Sequence, residues 1–556
     1  MNLISQTASA SRTYVIDGRA TWALVFCLAG LLCGSAATAQ SISEMQREAA
    51  VSRVASWAHW GPETDRYSSW GTHSNRLVPI YTFGGNLKSV SGNNSVYRDQ
   101  GRVQQLYGRV PKNTVNSNAE YLDQTDVQKL QLAAIESGKK KVILMVFDGM
   151  DYQTTRAAAI YKAKNVAYDS GRGTGLRFQD YDAAETDFGS FVSSPHNDGT
   201  KVDVNKQQVS NPGGATPGGY DPQLGGRNLW EPETNVDPRY LIGKNEEVKQ
   251  AYTDSAASAT SMTSGIKTYN NAINVDFSGR EVLPLGRVLQ ERGFAVGAVT
   301  SVPISHATPA CAYANNVHRS DYQDITRDML GLPSVFHPGG LPGLDVVIGC
   351  GWGEERAKDG SQGENFVPGN RYLAEEDLKA IQSQEKDAYR VALRMPGRSG
   401  KKALAKAAAW AAQEKERLFG FFGVKGGHLP FRTADGNFEP VTSVGNPKPL
   451  AAETYSPADL NENPELFQMA EAALQVLDAR SDKWWLMIEA GDVDWANHAN
   501  NIDNSIGAVL SGEKAFNSLV EWIETHGGWE DYYVIVTADH GHYLVIDDPE
   551  AIAGAE

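Results

Sequence analysis

Three apolar runs in this chain end on a carboxylate or an imidazole. The first reads Trp484-Trp485-Leu486-Met487-Ile488 and stops at Glu489. A second, residues 142–147, stops at Asp148; a third, residues 533–537, leads into Asp539-His540-Gly541-His542. Short unbroken apolar runs read as strands buried on both faces, the kind found in parallel sheets with helices on either side. Ligands of open α/β sheets gather outside the carboxyl ends of such strands, so these acids stand where working residues are expected. Beyond Glu489 come Asp494 and His498. A spacing of four places both on one face of a helix, where they can grip one ion together.

Residues 294–300 and 344–349 add two further buried strands. Helices are expected near 41–58, 120–138 and 401–418, and from Thr253 to a stop at Gly265. Residues 168–250, rich in Gly, Pro, Asn and Asp, read as long surface loops, and 425–464 as a polar insertion. Strands alternating with helices predict a three-layer α/β/α domain around a large, mostly parallel sheet.

The formal charge of −16 disfavours nucleic acid, whose phosphates select basic surfaces. An acidic protein still binds phosphate where metal ions invert the local field. The N-terminus reads as a secretory signal: Arg12 and Arg19, an apolar stretch over 21–32, then Ala37-Thr38-Ala39 as a small-residue cleavage site. That stretch is too short for a stable transmembrane helix, and Leu32 before Cys33 is larger than lipoprotein sites accept. A periplasmic or secreted location follows, with 1–39 removed and no stable membrane partner. Cys311 and Cys350 remain, as one disulfide or as two buried thiols.

Carboxylate and imidazole together suit zinc; carboxylate and hydroxyl suit magnesium. Ser255 offers a hydroxyl at a helix N-terminus, where unpaired N–H groups and the helix dipole favour phosphate. Each piece has a plainer reading, such as Asp254 as an ordinary helix cap, but their coincidence does not.

Taken together, these residues resemble the alkaline phosphatase family. Asp254-Ser255-Ala256-Ala257-Ser258-Ala259-Thr260, then Gly265-Ile266-Lys267-Thr268-Tyr269-Asn270, is similar to the family's nucleophile segment. Glu489 with Asp494 and His498, and Thr537-Ala538-Asp539-His540-Gly541-His542, have the family's spacing. The resemblance implies hydrolysis of small phosphate monoesters through a phosphoserine on Ser255, with two zinc ions and one magnesium ion per chain. Asp148, Asp539 and His540 would hold the zinc that generates the Ser255 alkoxide, and Asp494 and His498 the second zinc. Asp148, Glu489 and Thr308 would hold magnesium. Arg319 would clamp two phosphate oxygens, and His542 would orient the Asp494 site. His306 and Trp495 stand where the best-known bacterial members carry aspartate and lysine. A homodimer stays open. So do a phosphodiesterase or sulfatase of the same superfamily, and an exported phosphate- or metal-binding protein without turnover.

The family's second zinc also takes a histidine downstream of the Asp-His pair, opening a C-terminal segment. No histidine follows His542, whereas His73-Ser74, with 77–81 and Phe83-Gly84 behind it, is similar to that segment. The resemblance therefore implies a circular permutation: 40–107 stand for the usual C-terminal segment of a single domain over 40–556. Residues 108–140 would be the joint, with insertions near 168–250 and 355–470. The alternatives are that His73 is an ordinary N-terminal residue and the sequence is truncated, or that water or His428 fills the position.

Overall fold

The adjacent tryptophans that open the first apolar run define the layers. Successive side chains of a strand leave on opposite faces. Here the Trp484 indole donates to Asp478 Oδ1 (3.2 Å) of the helix Leu466–Arg480. The Trp485 indole donates to Gln131 Oε1 (2.8 Å) of the helix Asp126–Glu136. The strand between them, Trp484–Ala490, is buried throughout. Helices therefore cover both faces of the sheet.

This computed structural model describes residues 40–226, 236–244, 250–383, 388–445 and 449–556, and Gln40–Glu556 forms one compact unit. The leader expected over 1–39 and stretches of the polar insertions lie outside the described residues. The central sheet has ten strands, in the order Tyr389–Leu393, Arg417–Phe421, Val346–Cys350, Ala295–Pro303, Trp484–Ala490, Lys141–Phe147, Tyr532–Thr537, Val78–Phe83, Thr186–Val192 and Leu122–Asp123. Only the two pairings made by Val78–Phe83 are antiparallel. The five expected strands are five neighbours in the middle of this order.

The outer strands correct the loop and helix boundaries. Thr186–Val192 lies inside the stretch read as loop, yet pairs with Val78–Phe83 in the sheet. Its Thr-Asp-Phe-Gly-Ser-Phe-Val is only half-buried, so it carries no continuous apolar run. The helix expected to 418 ends at Glu414, where Lys415 takes φ 56° and turns the chain into the strand Arg417–Phe421. Helix Gly400–Glu414, with Leu466–Arg480 and the long Ile502–Thr525, builds one outer layer. Gly512 lets that long helix lie close on the sheet, since a Cβ there would come within 2.3 Å of Phe147.

Cys311 and Cys350 are free and buried, which settles the two options for them. Among the described residues no helix is long and apolar enough to cross a membrane.

Candidate metal and phosphate centre

His73 reaches the carboxyl edge of the sheet through a two-residue strand. His73–Ser74 pairs antiparallel with Gly541–His542, His73 opposite His542, and Ser74 Oγ donates to His542 O (2.7 Å). The His73 Nδ1–H donates to Thr253 O (2.9 Å) and the His498 Nδ1–H to Gly71 O (2.8 Å). A carbonyl only accepts, so each Nδ1 carries the proton. Burial lowers both imidazole pKa values, helped at His73 by the neighbouring His540 and opposed at His498 by Asp494. Both rings are therefore neutral, with a bare lone pair on Nε2. The two Nε2 atoms face each other at 3.1 Å, and stand 3.7 Å and 3.4 Å from Asp494 Oδ1.

Three electron-rich atoms at this separation have no mutual hydrogen bond to make, and a cation resolves the conflict. A tetrahedral zinc with bonds of about 2.0–2.1 Å separates its ligands by about 3.3 Å, so the donor set fits. His542 Nε2 lies 2.8 Å from Asp494 Oδ1 and fixes that carboxylate's orientation.

A second group gathers beside the first. Asp148, Asp539 and His540 present ligand atoms within 4.8 Å of one another, as do Asp148, His306 and Glu489. His540 Nε2 is 3.2 Å from Asp148 Oδ1 and 3.5 Å from Asp539 Oδ2. Asp148, Glu489 and Asp539 are all at most 1 % exposed, too many acids to be buried as anions without a cation. Burial, then the charges of Asp494 and Glu489, push the Asp148 carboxyl well up. Burial likewise lifts Glu489 to about 7, and burial with Asp148 lifts Asp539 to about 7. Asp148 Oδ1 and Glu489 Oε1 are buried without a hydrogen-bond partner, as an awaiting ligand atom would be. Thr308 Oγ1, at the start of the short helix Ala307–Ala310, lies 3.4 Å from Asp148 Oδ2.

Ser255 opens the helix Ser255–Ser264, every residue of which is buried. That burial explains its run of Ala, Ser and Thr: only small side chains allow such close packing. Asp254 caps it, accepting from Ala257 N (3.0 Å), and Gly265 closes it at φ 69°. Ser255 Oγ is 3.2 Å from His540 Nε2. Asp254 has a second duty, accepting from Arg319 Nη1 (3.0 Å), while Arg319 Nη2 lies 3.4 Å from His306 Nε2. His306 in turn packs against Trp495, ring centroids 5.9 Å apart.

All the residues singled out from the sequence thus lie around one carboxyl edge, and His428 is not among them. His428 Nε2 faces Glu453 Oε1 at 3.3 Å, behind Trp495. Several supports escape sequence reading. Thr300 Oγ1 donates to Glu489 Oε2, Ser258 Oγ to Asp539 Oδ2 (3.2 Å), Gly149 N to Asp539 Oδ1 (3.0 Å) and Gln124 Nε2 to Asp539 O (2.6 Å). Ser258 alone carried a signal, one helical turn beyond Ser255 on the same face.

Comparison with known proteins identifies the family. The alkaline phosphatase family model matches residues 231–552, more than half of the chain. Among curated relatives, alkaline phosphatase 3 of Bacillus subtilis (strain 168) is 28% identical over 312 residues, covering 55% of this chain and 54% of that protein. Alkaline phosphatase H of Pseudomonas aeruginosa (strain UCBPP-PA14) is 29% identical over 342 residues, covering 58% of this chain and 64% of that protein. The chain therefore spans about half to two-thirds of the length of these relatives. The crystal structure of Thermus thermophilus alkaline phosphatase aligns at a TM-score of 0.42 and 19% identity, over 73% of this chain and 60% of that one. The family match contains Ser255, Thr308, Arg319, Glu489, Asp494, His498, Asp539 and His540, while His73 and Asp148 come from residues before it. The chain belongs to the alkaline phosphatase family.

Proposed function

We propose that this protein hydrolyses phosphate monoesters in a metal-dependent reaction, with Ser255 as the nucleophile. The observation that carries the reading is the facing pair of neutral His73 and His498 Nε2 atoms beside Asp494, next to a buried serine at a helix N-terminus. Asp148, Asp539 and His540 would hold one zinc, His73, Asp494 and His498 the second, and Asp148, Glu489 and Thr308 a magnesium. Such ions would lower the pKa of the serine and of water, and would offset charge on the ester's leaving oxygen.

The chain's own residues do the rest. Ser255 Oγ is held at the start of its helix, where the dipole favours the phosphoryl group's negative charge. The Arg319 fork, steadied by Asp254, offers paired donors matching two phosphoryl oxygens. In the first half-reaction the Ser255 Oγ–P bond forms as the ester P–O bond breaks, and the alcohol leaves with a proton. In the second, water attacks phosphorus, the Oγ–P bond breaks, inorganic phosphate departs and Ser255 regains its proton. Arg319 also favours monoesters, because its charge answers the second negative charge that diesters lack.

The segment order is read as a circular permutation. In support, His73–Ser74 pairs with Gly541–His542 and Val78–Phe83 with Tyr532–Thr537, so the N-terminal segment extends the catalytic edge next to the Asp539 strand. Export of the mature chain and small-molecule phosphate esters as its substrates belong to the same reading. Assays with p-nitrophenyl phosphate and bis-p-nitrophenyl phosphate, with and without chelator, test it. The expected result is chelator-sensitive turnover that favours the monoester. Preferred diester cleavage, or turnover that survives removal of metal, overturns it.

A further inference from the structure

Trp495 follows the ligand-bearing Asp494 and remains half-buried beside the reactive centre, although the strand and helix around it are almost wholly buried. Large aromatics left half-exposed at a polar site are a common way to recognise rings. Two imidazoles hold this indole. His306 and His428 each stand at 69° to its plane, with centroids 5.9 Å and 5.1 Å away, so neither stacks flat on it. His306 connects the indole to the phosphate-clamping position, its Nε2 being 3.4 Å from Arg319 Nη2.

His428 is itself clamped by the 425–464 insertion. Its Nδ1–H donates to Leu429 O (2.6 Å), its ring lies against Phe431 at 4.3 Å, and its Nε2 faces Glu453 Oε1. Tyr455 Oη donates to Glu453 Oε2 (2.7 Å) and accepts from Phe431 N (3.0 Å). Thus a polar insertion without regular structure over most of its length converges on one buried histidine that backs one half-buried indole. Bare core packing does not need such a frame at the surface.

We infer that Trp495, backed by His428 and the 425–464 insertion, is a leaving-group platform that selects phosphate monoesters with a flat ring, aryl or nucleoside, over aliphatic ones. This rests on the proposed phosphate site, and it adds the substrate class. The His306 ring borders both the Arg319 fork and the indole. The organic group of an ester gripped by Arg319 therefore comes within reach of Trp495, and a ring there gains stacking that an aliphatic chain does not.

Titration calorimetry with phenylphosphonate and methylphosphonate on the zinc- and magnesium-loaded enzyme tests the platform apart from the chemistry. The wild-type protein is expected to bind phenylphosphonate about 5- to 10-fold more tightly than methylphosphonate. W495L removes that preference while methylphosphonate affinity stays within about twofold, W495F retains most of it, and Y455F, remote from the phosphate, weakens it. A preference that persists in W495L, or equal loss of both ligands, overturns the platform while leaving the phosphate site standing. Failure of both phosphonates to bind the wild-type protein overturns the phosphate site and the platform with it.

Discussion

Arg319 is oriented before any phosphate arrives, because Asp254 accepts from one side of its fork and His306 borders the other. A lysine in its place keeps the charge but not the planar pair of donors. Arg319→Lys should therefore leave metal content unchanged and raise KM for p-nitrophenyl phosphate about 10- to 100-fold, from the loss of one charged hydrogen bond contributing about 1.5–3 kcal/mol. Unaltered KM together with unaltered inhibition by inorganic phosphate would rule out the clamp. At this scale the sequence was informative wherever spacing determines geometry. Asp494 and His498 four apart, Ser255 after a capping aspartate, and Glu489 at the end of an apolar run all carry their meaning locally. The protonation of His73 and His498 was not legible. It depends on the carbonyls of Thr253 and Gly71, which lie far off in sequence and meet the rings only through tertiary structure.

The elements legible in the sequence are those in the middle of the sheet, where burial on both faces demands unbroken apolar runs. Toward the edges one face opens, the apolar run breaks up, and Thr186–Val192 reads as loop. Turns at the carboxyl edge are constrained by contacts, as Gly149 illustrates. It follows Asp148 with φ 73°, and a Cβ there would sit 2.8 Å from the His542 ring and 3.3 Å from the Asp494 backbone. Gly149→Ala should cost about 1–3 kcal/mol through backbone strain and displacement of His542. It should also weaken zinc binding, because His542 orients Asp494. Thermal melting and zinc titration of this variant check both effects, and wild-type values in the two measurements would show that the turn is not under such constraint.

Across the whole molecule, acids and histidines buried together around one edge make stability a matter of pH and metal together. In the metal-free fold Glu489 and Asp539 stand at about 7, chiefly because burial penalises their charge, whereas exposed carboxylates titrate near about 4. Each is thus favoured as the acid. The stability they contribute is fully present below about pH 4 and lost as pH rises through 7. The buried neutral imidazoles of His73 and His498 act in the opposite sense, but only below about pH 6.5, where unfolded histidines take up protons. Chelator-treated protein should accordingly melt at a lower temperature at pH 8 than at about pH 6.5. Zinc and magnesium should raise Tm more at pH 8, where these carboxylates are already ionised and no proton competes with the metal. A metal-free Tm that climbs over this interval would speak against buried acids at this edge. The same assembly uses a distant stretch of the chain: His73 arrives on a strand far from Asp494 in sequence, and periodicity alone does not announce that junction. The proposed chemistry depends above all on His73 completing a metal site with Asp494 and His498, and an anomalous-difference map at the zinc edge from crystals of the protein decides it. A peak is expected about 2 Å from His73 Nε2, His498 Nε2 and an Asp494 oxygen. A map with no peak among these three atoms, or with zinc there and the His73 ring turned away from it, would contradict that role for His73.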